Sequence, residues 1–138
     1  MPTLPWKKPK NPPEVAEAFI MASRLEVRSL ATVPRFFLKS LTAWKQVNAA
    51  PGVLGASLLA QPMKKTFWTL SAWDGRPSLY EYAKTNPHGD IMKSLRPVMA
   101  RATFLTWTVP VGELPINWDE ARTRLLEQIA AEDATNSA

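Results

Sequence analysis

Between Thr66 and Met92 the chain reads TFWTLSAWDGRPSLYEYAKTNPHGDIM, and the spacing of its apolar side chains changes partway along. Thr66 to Trp73 is crowded with β-branched and aromatic residues. Asp74-Gly75 breaks the run, and Leu79, Tyr82 and Ala83 then return at helical steps. A strand therefore runs straight into a helix, which confines the chain to folds with that connection. Pro87 interrupts the helix beside His88, the only histidine, so a side chain that titrates near neutrality stands where the backbone changes direction.

The flanking segments extend this pattern. From Phe19 to Ser29 the odd positions are Phe, Met, Ser, Leu, Val and Ser, while Ala22, Arg24, Glu26 and Arg28 occupy the even ones. A period of two predicts a half-buried first strand with Arg24, Glu26 and Arg28 on its polar face. Thr32 is placed to cap a helix, with Pro34 early enough that its missing N–H costs nothing. Val33, Phe36, Phe37, Leu41, Trp44 and Val47 form one stripe of that helix. Pro51-Gly52 ends it, Val53 to Gln61 suits a second strand, and Pro62-Met63-Lys64-Lys65 supplies a turn into the strand from Thr66 to Trp73, an antiparallel hairpin. Helical segments are expected from about Pro77 to Lys84 and from Pro87 onward. Arg101 to Val109 is expected as a fourth strand, followed by a last helix capped by Asn117 and carrying Trp118, Ala121, Leu125 and Ile129 on one side.

With 138 residues and 46% hydrophobic side chains, the chain is sized for one domain. Its expected divisions are a disordered Pro/Lys-rich tail (1–14), a core (15–112), and a C-terminal helix and tail (113–138). No apolar run reaches the roughly 18 residues that a membrane span needs, and no apolar secretory core is evident, so a cytoplasmic protein is expected. The absence of cysteine removes disulfides and thiolate zinc sites, and a single histidine argues against a transition-metal site. The net charge of +5 is spread as +3 over the first 13 residues, +6 over the middle and −4 from residue 113 onward. No nucleic-acid-binding motif accompanies those charges, so no nucleic-acid partner is expected.

The order β-α-β-β-α-β with a trailing helix predicts an α+β, ferredoxin-like sandwich with helices on one face of the sheet. Trp68, Trp73, Phe104 and Trp107 put too much aromatic surface on that sheet to leave wet. A homodimer burying the second face, with the C-terminal helix reaching to the partner, is the corresponding expectation.

The stretch WTLSAWDGRPSLYEYAKTNPHGDIM, a strand ending in Ser-x-Trp followed by a helix and then Pro-His, resembles the antibiotic biosynthesis monooxygenase group of the dimeric α+β barrel superfamily, and its spheroidene monooxygenase-like relatives. The resemblance spans roughly Phe19 to Val109. It implies a pocket between sheet and helices, and a cofactor-independent monooxygenase acting on a flat apolar, phenolic or polycyclic molecule. His88 would be the base or proton shuttle. Trp73, Tyr82, Trp68, Trp107 and Phe37 would be walls, and Arg24, Arg28 or Arg96 would stabilise a substrate anion. The first strand lacks the asparagine that haem-degrading members of the superfamily place there. Haem held by His88, or a small ligand held without catalysis, remains the alternative expectation.

Overall fold

The computed structural model describes residues 3–7, 14–85 and 88–137. Its frame is a five-stranded antiparallel sheet built from β1 (Thr3–Lys7), β2 (Glu17–Val27), β3 (Val53–Gln61), β4 (Thr66–Trp73) and β5 (Met99–Pro110). The strands lie in the order β1-β3-β4-β2-β5. The helices are α1 (Val33–Asn48), α2 (Arg76–Lys84), α3 (His88–Leu95) and α4 (Trp118–Ser137). Without β1 and α4, and with α2 and α3 together in the place of the second helix, the order is the βαββαβ ferredoxin-like arrangement expected from the sequence. None of the helices among the described residues is long and apolar enough to cross a membrane.

Local chemistry accounts for the boundaries. The β3–β4 hairpin closes through a tight turn in which the Lys65 N–H donates to the Pro62 carbonyl at 3.0 Å. Gly52, at φ 85°, ends the α1–β3 connection, where any side chain would collide with Ser78 and Asp74. Asn117 caps α4, its Oδ1 accepting from the Asp119 N–H at 2.7 Å. Thr32 behaves differently from expectation. It lies inside a 3-10 turn ahead of α1, and its hydroxyl donates to the Ser29 carbonyl at 2.8 Å instead of capping the helix.

Register sorts the sheet into two faces. Phe19, Met21, Ser23 and Leu25 of β2 sit opposite Trp73, Ser71, Thr69 and Phe67 of β4, and their side chains share the face that carries α1, α2 and α3. Ile20, Ala22 and Arg24 pair with Ala72, Leu70 and Trp68 on the other face, and with Trp107, Leu105 and Thr103 of β5.

The second face carries α4. Ala121 and Leu125 of α4 join Ile20, Ala22, Leu70 and Trp68 in one buried cluster. Trp118 Nε1 reaches Ser57 Oγ at 3.1 Å, and Arg101 on β5 holds Asp133 and Glu132 at 2.9 and 3.1 Å. The guanidinium groups of Arg122 and Arg124 lie 5.2 and 4.7 Å from the ring centres of Trp68 and Trp107. Under α4 Trp68 is thus buried and Trp107 half-buried within the chain, while Phe104, on the other face, is 50% exposed; along β2, Ala18, Ile20 and Ala22 are buried and Phe19 and Met21 half-buried.

Part of the expected tail is structured as well. Thr3–Lys7 pairs with β3 as an edge strand, and Trp6 packs against the α4-side cluster. Gly55 makes this possible, because a Cβ there would come within 2.3 Å of the Trp6 ring. The remainder of the 1–14 expectation falls mostly outside the described residues.

Candidate functional site

Sheet and helices do not close completely on the α1–α3 side. Between them lies a cavity of about 520 Å³, within the range of small-molecule sites. Its floor is sheet: Met21 and Ser23 of β2, Thr69 and Ser71 of β4, Phe104 and Thr106 of β5. Its roof is helical. Phe36, Trp44 and Val47 come from α1, Leu79, Tyr82 and Ala83 from α2, and Ile91, Met92 and Leu95 from α3. Tyr80, Phe104 and Thr106 are exposed while lining it, Phe104 at 50%, so the cavity opens to solvent along β5.

The polar side-chain groups of the described lining are hydroxyls and the Trp44 indole N–H, and none of its described residues carries a charge. Ser23 Oγ and Thr69 Oγ1, opposite each other across β2 and β4, are hydrogen-bonded. One of the two protons serves that bond and the other is left to donate. Ser71 Oγ accepts from Trp73 Nε1 at 2.9 Å, so its own proton is likewise left for an acceptor in the cavity. Ser71 and the Ser23–Thr69 pair therefore offer two donors on the floor of a largely apolar enclosure.

Tyr82 is fixed from both sides. Its hydroxyl donates to the Ala43 carbonyl at 3.1 Å and its ring lies 5.2 Å from that of Trp73. Burial raises its pKa well above the ordinary phenol value, so the group remains a neutral donor at any working pH. Above pH about 10 the unfolded chain gives up a proton that the folded state keeps. Stability then falls as pH rises, by up to about 1.4 kcal/mol per unit. In Tyr82→Phe that contribution disappears, while the lost hydrogen bond costs about 1 kcal/mol at neutral pH. Urea midpoints are expected to differ at pH 8 and to converge by pH 11. A constant difference across that range would contradict the assignment.

The residues expected at the site are placed differently from one another. Tyr82 lines the cavity, and Trp73, fully buried, stands directly behind it. Phe37 lies aside, packing on Phe67 with ring centres 6.2 Å apart. Trp68, Trp107 and Arg24 are on the opposite face of the sheet under α4, so they do not wall this cavity. The Arg24 guanidinium is 5.1 Å from the Trp68 ring centre and 3.6 Å from Glu26. Arg28 is exposed beyond the end of β2, and Arg96 is exposed in the 3-10 turn after α3. His88 opens α3, and its side chain lies outside the described residues, as does Pro87.

Parity could have separated two of these walls. Trp68 and Trp73 are five residues apart in one strand, which puts them on opposite faces. The hydroxyl floor also left a trace: Ser23, Thr69 and Ser71 are small polar residues at alternate positions of strands otherwise rich in large apolar side chains. Among the described residues no group of three or more His, Asp or Glu side chains is placed to hold a metal ion.

Comparison with solved structures finds the same fold repeatedly. A variant of SnoaB, a cofactor-independent oxygenase from Streptomyces nogalater, matches at TM-score 0.57 and 12% identity, over 67% of this chain and 92% of that one. Two proteins described as candidate antibiotic biosynthesis monooxygenases also match. The one from Nitrosomonas europaea does so at TM-score 0.58 and 14% identity, covering 64% of this chain and 95% of its own. The one from Caulobacter crescentus gives TM-score 0.57 and 18% identity, covering 69% and 90%. The chain thus has the α+β fold of antibiotic biosynthesis monooxygenase-like proteins; at such identities the likeness is one of architecture. No family model and no curated protein matches the sequence.

Proposed function

We propose that the chain is a cofactor-independent monooxygenase whose substrate, a flat phenolic or polycyclic molecule, occupies the cavity between the sheet and α1–α3. The observation that carries this reading is the cavity itself: an apolar enclosure with two hydroxyl donors on its floor, in a fold shared with an oxygenase described as cofactor-independent.

In the reaction a base removes a proton from an acidic C–H of the substrate, and the resulting anion transfers its electrons to dioxygen. A hydroperoxide forms at that carbon. Loss of water then leaves one oxygen atom as a new carbonyl and releases the other, with both hydrogens of the original CH2 group, as water. The chain must supply a base, donors for the anionic oxygen and a dry enclosure. His88 is the proposed base. Ile91, Met92 and Leu95 of α3 line the cavity, and position 88 belongs to the same stripe by the three-, four- and seven-residue steps of a helix. Ser71 and the Ser23–Thr69 pair take the part that the sequence suggested for arginine, since none of Arg24, Arg28 and Arg96 lines the cavity.

The test is oxygen uptake by purified protein with a panel of anthrones and hydroquinones, without flavin or metal and in the presence of a chelator. Uptake above the uncatalysed rate is expected with at least one of them. Ala83→Trp, which places a large ring at an exposed position of the lining, is expected to lower kcat/KM by about 10²-fold with the fold retained. No uptake across the panel, or an unaffected Ala83→Trp, would sink the oxygenase reading.

A further inference from the structure

Beside the cavity is a second, shallower depression of about 370 Å³, lined by Ala83, Lys84, Gly89, Met92, Lys93 and Arg96. Ala83 and Met92 line both hollows, so along α2 and α3 an enclosure whose described lining is uncharged adjoins a basic one. Among the described residues no carboxylate lines the depression. Lys84, Lys93 and Arg96 form no ion pair with any described residue, although the chain pairs Arg24, Arg101 and Arg124 elsewhere. Lys84 and Lys93 each stand in the last turn of their helix, where a cation suits the helix dipole. That explains each lysine by itself. It does not explain why both converge with Arg96 on one concavity that abuts the cavity, where three unpaired like charges repel one another until an anion joins them.

We infer that the natural ligand is an amphiphilic carboxylate, its apolar body in the cavity and its carboxylate across the Ala83–Met92 wall on Lys84, Lys93 and Arg96. This rests on the cavity being the ligand site and narrows the substrate class from flat and apolar to flat, apolar and acidic at one end. It also accounts for the absence of a charged residue among the described residues of the lining: the charge of the ligand is met outside, where both partners keep much of their hydration. Met92, unbranched and adaptable, is suited to a wall that must yield as the ligand threads through.

The probes are 1-pyrenebutyrate and its methyl ester, titrated into the full chain while tryptophan fluorescence is followed. At low salt the acid is expected to bind about tenfold more tightly than the ester, the sum of three exposed ion pairs worth a few-fold each. The triple variant K84A/K93A/R96A, all at exposed positions, is expected to weaken the acid to the level of the ester and leave the ester unchanged, and raised salt should do the same to the native chain. Equal affinity of acid and ester would overturn the inference and leave the cavity as the ligand site. A preference for the acid that survives in the triple variant overturns it as well, because the head would then sit elsewhere. If neither probe binds, the cavity reading fails together with it. Preferential binding of the acid, lost in the triple variant, supports the inference even where no oxygen uptake is found, in which case the oxygenase reading alone falls.

Discussion

Alanine at position 88 is expected to lower the rate of oxygen uptake by about 10²- to 10⁴-fold, the usual contribution of a positioned general base. The loss should fall on kcat, with KM little altered, because the imidazole is proposed to act on a reacting proton and not to hold the substrate. The pH profile gives an independent readout. With histidine present, the rate should rise with pH as the imidazole becomes able to accept a proton, and that limb should vanish in His88→Ala. Added imidazole should restore part of the rate. Full turnover in the variant would remove His88 from the chemistry. A shifted Soret band on adding haem, present in the native chain and absent in His88→Ala, would instead favour the haem-binding alternative.

Leu125→Asp should be the most damaging single change on the other side of the sheet. Leu125 is fully buried, in contact with the cluster that contains Ile20, Leu70 and Trp68. Removing the leucine costs about 2–5 kcal/mol, and burying a carboxylate without a partner adds several more unless the helix comes away. Against a total stability of about 5–15 kcal/mol this is enough to detach α4 or unfold the chain. Urea denaturation and binding of a hydrophobic dye report it. Leu126→Asp, one residue along and 49% exposed, should change stability by no more than about 0.5 kcal/mol. Equal stability of the two variants would mean that α4 does not cover this face. A detached α4 would uncover the apolar face of β2, β4 and β5, so Leu125→Asp should also associate with itself as concentration rises.

Much of the frame was legible because periodicity and punctuation are local properties. Strands at Val53–Gln61 and Thr66–Trp73 fall where apolar runs end at Gly, Pro and Asp-Gly, and α4 begins one residue after the asparagine that caps it. Other features depended on contacts between distant residues. The Pro-rich start of the chain reads as a tail until Trp6 is seen against Gly55, a residue whose missing side chain matters only once the two strands are neighbours. Trp68 and Trp107 read as pocket walls until register places them with Ile20 and Arg24 under α4. That the second face of the sheet carries the C-terminal helix of the same chain is likewise decided by contacts between distant residues.

By itself, then, the amino-acid order determined which segments are strands and which are helices, and the βαββαβ succession from which the ferredoxin-like frame follows, because spacing, turn residues and caps act over a few positions. Only tertiary structure decided which face of each strand meets α1–α3 and which meets α4, and that a hollow floored by Ser23, Thr69 and Ser71 persists on one side while the other is filled. The physical reason is that alternation along a strand distinguishes two faces without saying what covers either. That choice is made by where the helices pack, through contacts between residues up to a hundred positions apart.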